Sequence, residues 1–311
     1  MAPDNTVGVV GLGQMGGRMA RHLIDGGWTV VGYDLDETAL ATAEEYGVDP
    51  AASAAALAGR VDVVVTSLPD PDAVESAYLG EAGIAAGAHD DLVALEASTS
   101  SPETTVTIDE STDVDLLDAP VSGGTEGARD GSLTVMVGGD EGTFEREDVQ
   151  AVLHALGADV YHLGDLGAGH TTKLLNNQIG SAVRAATLEA AAVAAVEGVD
   201  WKPFLEVVRH SSGSSYMFRK RMPRVLNREF EPGFSMANTR KDARLAMEMA
   251  DAVDAPTPIT NVVHHLYKRA DAEGLSDEDN AAVVKLFERT TGVPVESEEY
   301  IDHDFLDWRE I

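Results

Sequence analysis

Short apolar runs separated by helical-period segments fill the first half of the chain, and helical period alone governs the second. The run Thr6–Val10 suits a strand buried on both faces of a parallel sheet. Gly11-Leu12-Gly13-Gln14-Met15-Gly16 interrupts it. Met15, Met19, Leu23 and Ile24 then recur at helical spacing until Gly26-Gly27 stops the helix. Thr29–Tyr33 reads as a second strand closing at Asp34, so the opening segment is a strand-helix-strand unit. Further strands are expected at 61–67, 92–96 and 114–117, and 134–137 offers one more apolar run. Such alternation predicts an α/β domain with a mostly parallel, doubly wound sheet. After about residue 165 the texture changes. Gly164, Gly167 and Gly169 punctuate the chain, and 170–197 then holds only Gly180, no Pro and much Ala, Leu and Val. As one helix it is roughly 42 Å long. Helices are expected at 202–209, 215–225, 238–253, 259–272 and 278–287, with no strand pattern among them.

Composition narrows the partners. The chain of 311 residues carries 54 Asp+Glu against 22 Lys+Arg, a net charge of −32, and no cysteine. A surface this acidic disfavours nucleic acid, whose phosphates need a basic footprint, and equally an anionic membrane. Disulfides, thiolate metal sites and cysteine nucleophiles are excluded. Apolar residues make up 44% of the chain, enough for a folded core. The dispersed acidic surface with little Lys resembles that of cytoplasmic proteins of salt-loving archaea; at molar salt the Debye length falls to about 3 Å and screens the repulsion. No run reads as apolar enough to span a membrane, and the N-terminus lacks a basic segment followed by an apolar one. A soluble cytoplasmic protein is expected.

The glycine turn carries the first candidate site. Gly11, Gly13 and Gly16 form G-x-G-x-x-G between a strand and a helix, where the turn, the approach to a pyrophosphate and helix packing each need a glycine. The helix N-terminus supplies amides and positive dipole to phosphate. Asp34, at the end of the second strand, stands where a carboxylate accepts from ribose hydroxyls and repels a 2′-phosphate; capping a turn is its plainer role. Leu35, Asp36 and Glu37 follow with no cation, which favours NAD over NADP. The domain is therefore Rossmann-type, over residues 1–165. An all-helical substrate and dimerisation domain, 166–295, begins with the long interdomain helix, and an acidic tail, 296–311, bears Tyr300, Phe305 and Trp308, either free or docked on a neighbour.

Four separated motifs resemble the β-hydroxyacid dehydrogenase family over roughly residues 5–290. They are the glycine turn with Met19-Ala20, Asp118-Ala119-Pro120-Val121-Ser122-Gly123-Gly124, Gly164-Asp165-Leu166-Gly167-Ala168-Gly169 followed by Lys173 and Asn176-Asn177, and Lys241-Asp242 after Pro232-Gly233-Phe234. Two glycines beside the Ser122 hydroxyl make a carboxylate cradle in their own right. Lys173 and Asn177, four apart, share a helix face. The resemblance implies hydride transfer between nicotinamide and a short 3-hydroxyacid. It assigns the substrate carboxylate to Ser122, Gly123 and Gly124, general acid–base work to Lys173, and substrate orientation to Asn177. A lysine in that role works best with its pKa lowered by a dry cleft. Lys241 is carried over as a cofactor contact, and Leu68, Pro69 and Thr99 as cofactor-lining positions beside Leu12, Gln14 and Met15 of the turn. No metal is implied, and a homodimer or homotetramer is.

Substrate cues diverge. Asn176 replaces the His of the related 6-phosphogluconate dehydrogenases, which argues against a phosphosugar acid. Ser211-Ser212-Gly213 looks like 3-hydroxyisobutyrate dehydrogenases, the first choice, whereas 227–234 looks like tartronate semialdehyde (2-hydroxy-3-oxopropionate) reductases. Arg219, Lys220, Arg221 and Arg224 are read as a solvated basic face or an anion site. His170, near Lys173, is placed to touch substrate but is read first as a cap or a solvated group, and the nine His residues form no metal constellation. Another Rossmann enzyme, such as a methyltransferase, and a non-catalytic NAD-binding sensor are the rival readings. The charge predicts that subunit assembly loosens when salt falls from molar to millimolar, because the repulsion is no longer screened. Light scattering across that range checks this; constant mass and activity contradict the salt-adapted reading.

Overall fold

The computed structural model describes residues 5–306 and divides into two compact units, one ending at Leu174 and the other beginning at Leu175. In the first unit six parallel strands form one sheet: β1 (Thr6–Val10), β2 (Thr29–Tyr33), β3 (Asp49–Pro50), β4 (Val63–Thr66), β5 (Val93–Glu96) and β6 (Asp115–Asp118). Their order is β3-β2-β1-β4-β5-β6. Every residue of β4 and β5 is buried, which is why these strands are continuous apolar runs. One helical layer packs Met19, Leu23, Val152 and Leu153 on one face, and another packs Leu57, Tyr78, Ile84 and Ile108 on the other. Ser53, Asp70 and Ser101 cap three of the connecting helices by accepting from Ala56, Ala73 and Thr104 amides. The order reverses between β1 and β4, and the crevice at the carboxyl ends of such strands is where ligands bind in open α/β sheets.

A second sheet was not legible as such. β7 (Val121–Ser122) pairs antiparallel with β8 (Leu133–Val137), which pairs in parallel with β9 (Gly157–His162). The run at 134–137 is the middle strand. β9 has no apolar run because most of its residues are partly or fully exposed, and β3 and β7 are two residues each.

The long helix runs from Ala168 to Val196, 29 residues. It corrects one expectation. It contains an 18-residue window of mean hydropathy 1.4, so by length and composition it is apolar enough to cross a membrane. Part of that apolar surface is used in a core, where Leu188, Ala191 and Ala192 join the buried cluster of the second unit. Arg184, also buried, donates from Nη1 to the Tyr267 hydroxyl at 2.8 Å.

The second unit is helical, with helices Trp201–Arg209, Tyr216–Leu226, Met236–Asp251, Pro258–Ala272 and Val284–Thr291. A 3-10 turn at Asn280–Val283 replaces the first half of the helix expected at 278–287. The basic face expected at Arg219–Arg224 is only partly solvated: Lys220 is exposed, whereas the three arginines have partners within the unit. Arg219 is buried and donates to the Ser214 hydroxyl and the Arg209 carbonyl, Arg221 pairs with buried Asp279, and Arg224 faces Glu229. The tail docks on its own unit. Ile301 is 2% exposed, and its backbone exchanges hydrogen bonds with the Asn227 amide at 2.8 and 2.9 Å. Phe305 packs against the same core, whereas Tyr300 is exposed, and Trp308 lies outside the described residues. Ile301→Ala is therefore expected to cost about 2–4 kcal/mol; thermal unfolding checks it, and an unchanged midpoint contradicts a docked tail.

Candidate active site

The turn after β1 is shaped by backbone contacts. Gly11 has φ +89°, and its amide donates to the Tyr33 carbonyl at 2.9 Å. The glycines at 16 and 13 differ in kind. A Cβ at Gly16 would lie 1.9 Å from the Gly11 carbonyl oxygen, so the start of helix Gly16–Asp25 touches the turn directly. A Cβ at Gly13 would meet nothing within 4 Å, and its φ is ordinary. Nothing in the protein requires glycine there; a pyrophosphate lying on the turn does. This open cradle fits a dinucleotide.

Asp34 closes β2, and each of its oxygens accepts one amide, from Leu12 at 2.6 Å and Asp36 at 2.8 Å. The carboxylate thus caps the turn, and with about four lone-pair sites it keeps acceptor capacity for ribose hydroxyls. Gln14 is exposed and Met15 half-buried at the mouth of the turn. Leu68 and Pro69 follow β4, and Thr99 follows β5, so they share the carboxyl edge of the sheet with the glycine turn. The Leu68 amide donates to the Ser98 hydroxyl at 2.8 Å, tying these two loops together.

Ser122, Gly123 and Gly124 lie where the chain leaves the first sheet for the second. Gly123 and Gly124 have φ of +136° and +66°, and a Cβ at Gly124 would meet nothing within 4 Å. As at Gly13, the space belongs to no protein atom. The three residues present a hydroxyl and a bent run of backbone amides, suited to a carboxylate.

Between these loops lies a buried charged network that sequence reasoning missed. Asp118 ends β6 at 0% exposure. Its two oxygens accept the amides of Gly167 at 2.7 Å and His170 at 2.6 Å, the entry to the long helix. A Cβ at Gly169 would lie 2.3 Å from the Met136 carbonyl oxygen and 2.8 Å from that carboxylate. Of the roles open to His170 from sequence, the solvated one fails: the residue is wholly buried. Its Nε2 lies 2.7 Å from Glu96 Oε2 and its Nδ1 is 2.9 Å from the Thr105 hydroxyl. Burial works against both charges, yet the facing carboxylate of Glu96, helped by Asp118, holds the imidazolium above the ordinary histidine range, while His170 holds the Glu96 carboxyl below its own. The His170 contribution to stability is complete below its unfolded pKa of about 6.5 and fades as pH rises through the elevated folded value. That of Glu96 is lost only as pH falls through its depressed value. The Asp118 motif was legible as a family signature, but nothing in the sequence pairs it with His170.

Lys173 follows one turn along the helix, with only 7% of its surface exposed. In the second unit, Asn177 donates from Nδ2 to Asp242 at 2.7 Å, and Lys241 Nζ lies 3.3 Å from the other oxygen of Asp242. Asp242, itself buried, thus joins two of the expected site residues and was given no role from sequence. Asn176 is exposed beside Asn177. His264 and His265 stand edge to face, and among the described residues no group of side chains is placed to hold a metal ion.

Two family models match the chain. Residues 6–164 match the NAD-binding domain of 6-phosphogluconate dehydrogenase, and 167–287 match the NAD-binding region of NADP-dependent 3-hydroxyisobutyrate dehydrogenase. The chain is 35% identical to 2-(hydroxymethyl)glutarate dehydrogenase of Eubacterium barkeri, over 93% of this chain and 97% of that one. It is also 35% identical to 3-hydroxyisobutyrate dehydrogenase of Pseudomonas aeruginosa, covering 90% and 98%. Among solved structures, Mycobacterium tuberculosis 3-hydroxyisobutyrate dehydrogenase with L-serine superposes with a TM-score of 0.83 at 32% identity, covering 90% of this chain and 98% of that one.

The two glycines separate packing from ligand contact. Gly13→Ala is expected to leave thermal stability within about 0.5 kcal/mol yet weaken NADH binding, whereas Gly16→Ala destabilises the fold itself. Fluorescence titration with NADH beside thermal unfolding checks both; undiminished NADH binding by Gly13→Ala contradicts the cradle.

Proposed function

Because the chain belongs to the NAD(P)-dependent β-hydroxyacid dehydrogenases, oxidoreductases acting on a CH–OH group, we propose that its substrate is a short 3-hydroxyacid with a primary hydroxyl, 3-hydroxyisobutyrate first, and that NAD is its preferred cofactor. The observation that carries this reading is Lys173, a nearly buried amine on an unbroken helix one turn before Asn177. A buried lysine with a hydrogen-bonding amide on the same face is a poor surface group and a good proton-transfer pair.

The roles are those the family resemblance implies. Ser122 and the amides of Gly123 and Gly124 hold the substrate carboxylate. Lys173 Nζ takes the hydroxyl proton in oxidation and returns it in reduction. Asn177 orients the hydroxyl, and Asp242, by accepting from Nδ2, fixes which way that amide faces. Lys241 keeps the cofactor-contact role that the resemblance assigns to it. Bound nicotinamide supplies the hydride acceptor or donor at C4. Asp34, with Leu35, Asp36 and Glu37 after it, offers acceptors for ribose hydroxyls and no cation for a 2′-phosphate, which supports NAD.

Three of the compounds named with its relatives support the substrate class through a shared fragment. 2-(Hydroxymethyl)glutarate, 3-hydroxyisobutyrate and L-serine each carry a CH2OH on the carbon that bears the carboxylate. The fragment, rather than the third substituent, is what Ser122, Lys173 and Asn177 would read. Tartronate semialdehyde reduction is the second reading, favoured by the stretch 227–234. A homodimer or homotetramer in the cytoplasm is proposed as well. Leu175, Ile179, Val193 and Val196 of the long helix are 45–66% exposed and apolar, a face suited to a second copy.

A panel of these acids with NAD, followed as NADH absorbance in molar KCl, is expected to show turnover with at least one CH2OH acid. Lys173→Ala is expected to lose about 10²–10⁴-fold in kcat while still binding NADH. A fully active Lys173→Ala contradicts the mechanism, and NAD binding by the wild type without turnover of any acid favours the sensor reading.

A further inference from the structure

We propose that His170, clamped between the carboxylates of Glu96 and Asp118, is a positioning residue for this reaction: it locks the first turn of the long helix to the ends of β5 and β6 and so fixes where Lys173 presents its amine. The inference rests on the hydroxyacid dehydrogenase reading for its catalytic consequence, and on geometry for the lock.

Capping alone does not explain the network. A helix start needs acceptors for its first amides, and Asp118 supplies them to Gly167 and His170 without help. His170 adds a tie to a different strand. Its Nε2 reaches Glu96 at the end of β5, its Nδ1 reaches Thr105 on the helix Pro102–Ser111, and Asp118 Oδ2 stands 3.5 Å from Nδ1. Glu96 in turn accepts the Ser98 amide at 2.9 Å and the Thr66 hydroxyl at 3.4 Å, and Thr66 meets the buried Tyr78 hydroxyl. Stability does not explain it either. Replacing buried ion pairs by apolar residues is often neutral or stabilising, so two carboxylates and an imidazolium at 0% exposure are a poor way to gain stability. They are a good way to hold one geometry, because each charge tolerates only a partner in place.

Lys173 follows His170 by three residues on a regular helix, so the two side chains lie within one turn and about 60° of each other. Any slip of the helix start is passed on to Lys173. Ser98 and Asp118 also lead directly into Thr99 and into the chain towards Ser122, so the lock sits under the loops assigned to cofactor and carboxylate.

The test uses the full chain in molar KCl. His170→Gln keeps a polar side chain of similar reach but cannot contact Glu96 and Thr105 from opposite ends. It is expected to retain its NADH sites, with a dissociation constant within about threefold of the wild type, and to lose about tenfold or more in kcat per NADH site, since a displacement near 1 Å is worth up to about 10²-fold. The pH–rate profile is expected to shift, and amide exchange over residues 168–175 to quicken. Glu96→Gln, which keeps an acceptor opposite Nε2, is expected to lose less than His170→Gln. A merely structural histidine would lower the melting temperature or the number of NADH sites while leaving kcat per site and the pH profile unchanged, and that result overturns the proposal. If the wild type turns over no hydroxyacid, the functional reading fails, and the exchange measurement still decides the lock: unchanged exchange in His170→Gln overturns it, and faster exchange supports it.

Discussion

The first unit depends on a carboxylate that water does not reach. Asp118 closes β6, and from there its two oxygens receive the opening amides of the 29-residue helix. That single group joins the last strand of a parallel sheet to the element that carries Lys173. Much of the surrounding sequence exists to let it sit there. A Cβ at either Gly138 or Gly169 would press on the carboxylate, and Gly167 turns at φ +91° to aim its amide inward. An ionised carboxylate in such a place is costly unless paired and hydrogen-bonded, and His170 and the two amides meet that need. The motif Gly164–Gly169 is thus a fitting around a buried charge.

What was legible from sequence follows from burial. β1 and β2 were readable to the residue because strands covered on both faces are unbroken apolar runs bounded by glycine or a charge. β9 was not, since its side chains alternate between partial and full exposure and include Asp159 and Tyr161. The helices of the second unit were legible within a few residues because each has a buried stripe. Candidate site residues were legible one at a time. Their pairings were not: Glu96, Asp118 and His170 are dispersed in sequence and meet only through sheet topology, as Asn177 and Asp242 meet only through helix packing. Arg221 and Arg224 misled for the same reason, since their acidic partners lie far along the chain or in a neighbouring loop.

Charge is distributed with a clear division. The surface carries the acidic excess, and the few lysines are used sparingly. Lys202 and Lys285 pair with Glu299 and Glu278, whereas Lys173 is buried and Lys241 adjoins the Asp242 that holds Asn177. In a chain of net charge −32, attraction for an anionic cofactor and a carboxylate must come from local groups. The open turn at Gly13, the amides at Gly123 and Gly124, and these two lysines are the groups proposed to provide it.

Direct hydride transfer is the claim on which the whole account turns. Incubation with NAD and 3-hydroxyisobutyrate carrying deuterium on its hydroxyl-bearing carbon, followed by mass spectrometry of the nucleotide, tests it. Deuterium appearing in the reduced nicotinamide in step with oxidised acid is the predicted result. Oxidised acid without label in the nucleotide, or no oxidation by a chain that binds NAD, would contradict it.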